Sequence, residues 1–287
     1  MKSNICVFIG SGDLAARSAD SLEDLGLSLI GACRNPDVLP PLFEGVKADY
    51  AQSGSLNFLE PLKPDFLITT FKPLNPDFSG YQQGFVNAAK NLVDGLGEHI
   101  PSLVIFVSST RIFAENEGRW VNEQSPRTKT DPLGKSIVEA EKVLRRAGLP
   151  LITLYCSGLY GSSTDYLFKR VKEGAFSPQS EKCFTNRIHR QDVAGVFAWL
   201  IGLRLNQEQL QNSYIVSDSY PASRMEIELW LAEQVKVPHS ESKTIGGSLI
   251  RSGNKRCDNS LLVTSGYKLL YPDYKSGYES IIRFEDI

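Results

Sequence analysis

The sequence predicts an α/β protein built on a doubly wound parallel sheet. Two observations carry this: strand-length apolar runs alternate with helical stretches from residue 4 onward, and the first run ends in a glycine turn that opens a helix. Residues 4–9 (NICVFI) are the first strand, and DLAARSADSLEDLG after Gly10-Ser11-Gly12 reads as a helix ending at Gly26. LSLIGAC (27–33) is a second buried strand, followed by the Pro-rich loop NPDVLPP. A short third strand lies near Gly45–Ala48, a helix signal starts at Ser53 or Ser55, and DFLITTF (65–71) is the fourth strand. The order β-α-β-α-β is that of parallel strands joined by crossovers.

A long helical stretch spans about Gly80 to Leu96, and SLVIFVSS (102–109) is the most strand-like segment of the chain. The polar loop ENEGRWVNEQSPRTKTDP then leads to a strong helix over 133–148 and a sixth strand, LPLITLYC (149–156). Beyond Gly158-Leu159-Tyr160-Gly161 the alternation loosens into helix 165–173, irregular 174–188, helix 190–204, strand 213–217 and helix 222–235. From about 236 the chain is rich in Ser, Gly and Lys and shows no clear element. A sheet domain over 1–160, to which later segments return, and a smaller substrate lobe mainly over 161–287 are the expected organisation.

Composition narrows the function classes. With 41% hydrophobic and 22% charged residues, 287 residues can bury a sizeable core, so disorder and fibrous repeats are excluded. Lys+Arg number 31 and Asp+Glu 33, a net charge of −2, which argues against a nucleic-acid partner held by phosphate electrostatics. Five cysteines (Cys6, Cys33, Cys156, Cys183, Cys257) are scattered singly, the pattern of reduced thiols in a cytoplasmic protein. His99, His189 and His239 stand too far apart to pair as ligands, so no metal is expected. The run 5–9 is too short for a signal sequence, and no run is long enough to span a membrane, so no membrane partner is expected.

Gly10-Ser11-Gly12-Asp13-Leu14-Ala15 fits G-x-G-x-x-[GA] directly after a strand. The first glycine permits the tight turn, the second admits a pyrophosphate to the backbone, and the small third residue lets helix and strand close up. The helix N-terminus supplies N–H groups and a positive dipole end for the phosphates. Gly10, Gly12, Asp13 and Leu14 are therefore candidate dinucleotide contacts, with a purely structural turn as the other reading. About 20 residues on, where an acid would hold the ribose hydroxyls of NAD, the chain reads Ala32-Cys33-Arg34-Asn35. An arginine there suits a 2′-phosphate and so NADP, with NAD as the alternative, and a solvated loop arginine is the plain reading. One or two charge-assisted hydrogen bonds of roughly 1.5–3 kcal/mol each would prefer NADP by about tenfold or somewhat more. Asp49, past the third strand, could hold an adenine amino group or be a surface aspartate.

Further motifs keep a familiar order: Ser108-Ser109-Thr110, Gly118-Arg119-Trp120-Val121-Asn122-Glu123 with Ser125-Pro126, Gly134-Lys135 before Glu139-x-Glu141, and Gly158-Leu159-Tyr160-Gly161. Asn186-Arg187-Ile188-His189-x-x-Asp192-Val193-Ala194 and Lys255-Arg256-Cys257-x-Asn259 complete the set. In these the chain resembles the extended short-chain dehydrogenase/reductases, in the NAD-dependent epimerase/dehydratase family, over almost its whole length. The resemblance implies an NAD(P)-binding Rossmann fold and hydride transfer at a carbinol or carbonyl carbon of a small substrate, sugars among the classes the family takes. It implies Thr69, Thr70, Ser108, Lys135 and Cys156 as further cofactor contacts, and Arg187 and Arg256 as substrate contacts. A homodimer through the helices after strands four and five is within the family's habits.

The family's catalytic set is a strand-five hydroxyl with a tyrosine four residues before a lysine. Here Thr110 matches the hydroxyl and Lys135 the lysine, but Asp131 occupies the tyrosine position. Beside an ammonium an aspartate stays ionised with a pKa at or below ~3.9, so at neutral pH about one molecule in a thousand carries the proton. That makes Asp131 a poor general acid and a weak base. Tyr271-Pro272-Asp273-Tyr274-Lys275 has the spacing, but its proline breaks the helix that would align the pair. Phe113 replaces the family's second frequent tyrosine, and Tyr155, Tyr160 and Tyr166 are the nearby phenols, each read first as packing. His189 and Asp192 read as helix-start and loop-ordering residues, Lys255-Arg256 as a solvated pair, and Trp120 as a lid or a loop anchor. Two function classes follow: an oxidoreductase or epimerase, and a non-catalytic NADP(H)-binding sensor or scaffold.

Overall fold

Apolar runs of five or six residues become strands covered on both faces. In the computed structural model, which describes residues 3–162, 165–177, 183–238 and 253–285, β1 (Ile5–Ile9) buries Cys6, Val7, Phe8 and Ile9 completely. α1 (Asp13–Glu23) turns Ala15, Ser18, Ala19 and Leu22 inward, one helical face at i, i+3, i+4 and i+7. β2 (Ser28–Cys33) and β3 (Phe43–Lys47) follow, then α2 (Leu59–Leu62) and β4 (Phe66–Thr69). The helix expected from Ser53 or Ser55 is confined to α2, because Pro61 in the interior of a longer helix would press on the carbonyl of Asn57.

The long helical stretch after β4 is three pieces in line: α3 (Phe78–Tyr81), a π-helical segment (Gln82–Asn87) and α4 (Ala88–Leu96). Asp77 starts it by accepting the N–H of Gly80 at 2.7 Å. Next come β5 (Leu103–Ser109), β6 (Trp120–Val121) and α5 (Pro132–Arg146). β7 (Leu151–Cys156), β8 (Gly158–Tyr160), α6 (Tyr166–Lys172), β9 (Phe184–Thr185) and β10 (Arg187–His189) lead to α7 (Arg190–Leu205). The chain closes with β11 (Ser213–Val216), β12 (Ala222–Ser223), α8 (Arg224–Gln234), β13 (Arg256–Cys257), α9 (Ser260–Thr264) and α10 (Tyr274–Glu285).

Seven strands form one sheet in the order β11-β7-β5-β4-β1-β2-β3. β1 pairs in parallel with both β2 and β4, Cys6 lying opposite Leu29 on one side and Phe66 on the other. β2 with β3 and β4 with β5 are also parallel. From β1 the chain first winds outward to β3 and then returns to β4, so the carboxyl ends of β1 and β4 are a topological switch point.

By internal contacts the chain falls into two units. The first is Met1–Ile112, Arg127–Tyr155 and Val193–Tyr214; the second is Phe113–Pro126, Cys156–Asp192 and Ile215–Ile287. The loop after β5 belongs in part to the second unit, where β6 pairs in parallel with β13. That unit has its own core, with Tyr160, Phe168, Phe176, Leu231, Tyr274 and Tyr278 buried together. Within it Arg170 of α6 and Glu228 of α8 form an ion pair, 3% and 2% exposed, that also takes the N–H and hydroxyl of Ser177. Among the described residues no helix is long and apolar enough to cross a membrane, and no cluster of His, Cys, Asp and Glu could hold a metal ion. His239 and most of the Ser/Gly/Lys-rich stretch lie outside the described residues.

Candidate functional site

The switch point is built from backbone. Gly10 has φ +89°, a region that costs L side chains but not glycine, and its amide donates to the carbonyl of Ala32 at 2.9 Å. Thr70, just past β4, donates its hydroxyl to the Gly10 carbonyl at 2.5 Å and its amide to Ile9 at 3.0 Å. A Cβ on Gly10 would lie 3.1 Å from Thr70 and 3.2 Å from the Tyr50 ring, whereas one on Gly12 would meet nothing closer than 4.0 Å. Gly12 thus borders open space at the N-cap of α1, where no side chain caps the helix. Amides and dipole end at such a terminus fit a pyrophosphate. Asp13 opens the helix with its carboxylate paired to Arg17 at 3.0 Å, and Leu14 is half-buried. Thr69 is wholly buried, its hydroxyl 3.4 Å from the Ile105 carbonyl, so its place is under the site.

At the far end of the turn Arg34 is exposed, and both Arg34 and Asp49 act electrostatically on the Tyr50 phenol. Asp49 accepts the N–H of Ala51 at 3.1 Å and orders its own turn. Tyr50 went unnoticed in the sequence. Its ring packs on Phe71 at 5.1 Å, and its oxygen accepts the Lys72 amide at 3.2 Å. Burial raises its pKa, against the Lys72 hydrogen bond and the Arg34 charge. A phenol beside the exposed Arg34 and the half-buried Asp49 gives that end an aromatic wall.

The carboxyl end of β5 carries Ser108 and leads into Thr110, 5% and 8% exposed. The Ser108 hydroxyl is buried with no hydrogen-bond partner among the described residues, an unmet polar atom that suits a bound polar ligand. Arg111 follows. Its Nε donates to Oδ2 of Asp131 at 2.6 Å and its Nη2 to Oδ1 at 3.1 Å. The same carboxylate caps α5, accepting Leu133 N–H at 3.1 Å and Gly134 N–H at 3.2 Å, with Pro132 at the first helical position. Burial draws the Asp131 carboxyl upward, but the Arg111 hydrogen bonds and charge, with the two amides, outweigh it and hold the carboxyl below its ordinary pKa. Asp131 is ionised as the sequence argues, but the cation that holds it is Arg111. Lys135 is exposed one helical turn on. Tyr81 joins the cluster from α3: the Arg111 guanidinium lies 5.8 Å from its ring centre and hydrogen-bonds its side chain. Neither Arg111 nor Tyr81 was singled out in the sequence; the only signal was a cation next to Thr110.

The phenol of Tyr155 is committed elsewhere, donating to Glu141 at 3.1 Å and accepting from Arg127 at 2.8 Å. In the second unit, Tyr160 is buried on Tyr278 and Tyr166 is 64% exposed. Cys156 is buried, which pushes its thiol up to about 12. Arg187 donates to the Thr185 hydroxyl at 2.6 Å. His189 packs on Tyr160 and Tyr271 with ring centres at 5.2 and 4.0 Å, and Asp192 accepts the Leu270 and Tyr271 amides at 2.7 and 3.0 Å. Tyr271 precedes α10, which begins at Tyr274, so Tyr271 and Lys275 do not share a helix. The expected solvated pair is a correction. Lys255 is 3% exposed, and Arg256 donates to the Gly118 carbonyl at 2.8 Å while its guanidinium lies 5.2 Å from the Trp120 ring and 4.8 Å from Phe184. The second unit also buries Asp218, whose Oδ2 has no partner among the described residues; burial pushes its carboxyl up to about 8.

No family model and no curated relative matches the sequence. Solved structures do. One from Methylobacillus flagellatus, provisionally described as an NAD-dependent epimerase/dehydratase, shares 28% identity over 99% of both chains with a TM-score of 0.81. The Bordetella bronchiseptica enzyme WbmG, solved with NAD and UDP, is 16% identical over 100% of this chain and 96% of its own, TM-score 0.81. The Thermus thermophilus UDP-glucose 4-epimerase, solved with NAD, is 16% identical over 96% of both chains, TM-score 0.79.

Proposed function

From its place among the extended short-chain dehydrogenase/reductases, in the NAD-dependent epimerase/dehydratase family, we propose that this chain binds a nicotinamide dinucleotide and acts on a small substrate, a sugar among its classes. The uncapped N-terminus of α1 beside Gly12 carries the proposal, because it leaves backbone amides and open space where a pyrophosphate would sit. When bound, the dinucleotide supplies a hydride acceptor or donor. The chain's own residues do the rest. Gly10, Gly12, Asp13 and Leu14 form the cradle, and Thr70 fixes its shape. Arg34 pairs with a 2′-phosphate, which favours NADP over NAD, and Asp49 borders the adenine end with Tyr50. The unmet Ser108 hydroxyl and Lys135 hold the nicotinamide half, while the Thr110 hydroxyl holds the substrate oxygen. Asp131 acts as a positioning residue that fixes Arg111. On the resemblance, Cys156 is a further cofactor contact, and Arg187 and Arg256 are substrate contacts. A cytoplasmic setting is consistent with five free thiols.

Parallel calorimetric titrations with NADPH and NADH test this. Micromolar binding with NADPH preferred is the expected result; binding of neither overturns it. A second reading, a dinucleotide-binding sensor without turnover, draws on one observation: the tyrosine position holds a carboxylate committed to a cap and an ion pair. Turnover in a substrate screen excludes that reading.

A further inference from the structure

The end of the sheet opposite the glycine turn carries space of its own. Ser102 and Leu103 entering β5, Pro150 and Leu151 entering β7, and Asn212 entering β11 line a cavity of about 380 Å³. A second cavity of about 420 Å³ is lined by Asn4 before β1 and by Asp65 and Phe66 at the start of β4. Ser102 and Arg204 border both. Asn4 and Gly10 flank β1, so the length of that strand separates this edge from the dinucleotide cradle. Volumes of a few hundred Å³ are those of small-molecule sites.

The end of α7 shapes the first cavity. Gln207 takes φ +60°, and the Glu208 amide donates back to the Leu203 carbonyl at 2.9 Å, which stops the helix and sends residues 208–212 along the strand entrances. Arg204, in the last turn of α7, donates its Nε to the Ser102 carbonyl at 3.0 Å. It makes no ion pair among the described residues, and both its Nη groups are without a partner there. The other charges are committed or peripheral. Arg145 is paired to Glu141 at 2.9 Å, Glu208 is exposed, and Asp65, which accepts the Ile5 amide at 2.8 Å, lies on the second cavity. An anion therefore belongs in the first. That cavity adds an apolar lining from Leu149, Pro150, Leu151, Ile152 and Leu210, and carboxamides from Gln209, Gln211 and Asn212.

We propose that the cavity at the amino-terminal edge of the sheet binds a small organic acid, whose carboxylate or phosphate is taken by the Arg204 Nη groups and whose apolar body lies on Leu149–Ile152 and Leu210. The paired N–H donors of a guanidinium match either oxyanion. The site shares no residue with the dinucleotide reading and stands without it.

Amide chemical-shift titrations of the full, isotopically labelled chain test it with three probes that share one body: isovalerate, isobutyl phosphate and the neutral isovaleramide. At least one of the two acids should shift the amides of Leu149, Leu151, Ile152 and residues 209–212 in a saturable way, and the tighter of them identifies the headgroup. Isovaleramide should bind about tenfold more weakly or worse. Arg204→Gln, at an exposed position, should keep the melting temperature and lose the acid by about tenfold or more. Gln211→Glu, which adds a carboxylate to the lining and leaves Arg204 in place, should weaken the acid and not the amide. Acids that shift no amide at this edge, or only residues 10–14 of the glycine turn, overturn the site. Isovaleramide binding as tightly as the acids, or acid binding unchanged in both variants, overturns the role of Arg204 and the class of ligand with it.

Discussion

Arg111 and Asp131, twenty residues apart in the chain, meet in a two-pronged ion pair with Nε–Oδ2 2.6 Å and Nη2–Oδ1 3.1 Å. One carboxylate thereby fixes the residue after Thr110 and the first turn of α5 together. Asp131→Ala should cost about 1–2 kcal/mol through loss of the cap, and Asp131→Asn, whose amide oxygen still caps, clearly less. Because its pKa is depressed in the folded state, Asp131 contributes stability above the ordinary carboxylate pKa and loses it as pH falls through the folded value. Thermal melts of both variants at pH 7 and in acid check the order and the sign. Asp131→Tyr should carry the same loss of the cap, whatever it does to activity.

At the ribose end, Arg34→Ala should weaken NADPH about tenfold and leave NADH nearly unchanged, since only a 2′-phosphate draws on the guanidinium. Equal losses for the two cofactors in a titration would remove the 2′-phosphate assignment.

Asp218 has the opposite pH behaviour to Asp131. Its carboxyl goes from an ordinary 3.8 to about 8 on folding, through burial, against the Tyr220 amide and the Arg187 charge and with the Asp273 and Asp192 charges. Between those values the unfolded chain has released the proton that the folded chain keeps. Stability is therefore full below the ordinary value and declines as pH rises towards 8, by about 1.4 kcal/mol per pH unit from this group. Melting temperatures from pH 5 to 8 should fall in wild type and flatten in Asp218→Asn; parallel slopes would refute it.

The buried pair in the second unit should resist single but not double replacement. Arg170→Met leaves the Glu228 charge without its counter-ion and should cost about 3–5 kcal/mol. Adding Glu228→Leu should recover much of that, the remainder being the Ser177 amide that Glu228 accepts. Chemical denaturation of both variants reads the difference.

The sheet and the glycine turn were legible because both rest on local rules. Strands such as Cys6–Ile9 are apolar on both faces, and Gly10 must turn the chain at a positive φ. The α2 region misled because a polar start signal at Ser53 says nothing of Pro61 eight residues on. The chemistry was less legible. Arg111 and Asp131 are partners across twenty residues, and Tyr81 sits in a Gly- and Gln-rich stretch with no periodicity to mark its direction. Lys255 reads as a surface charge in sequence, yet it lies buried one residue before β13.

The π-helical segment sets a phase. Each residue of an α-helix advances about 100° around its axis, so the additional residue accommodated in a widened turn re-aims everything before it by roughly that angle. Removing one residue between Gln82 and Asn87 would leave α4 seated on α5 while swinging Tyr81 away from Arg111. The widened turn, rather than the packing of α4, therefore decides where the Tyr81 ring is aimed.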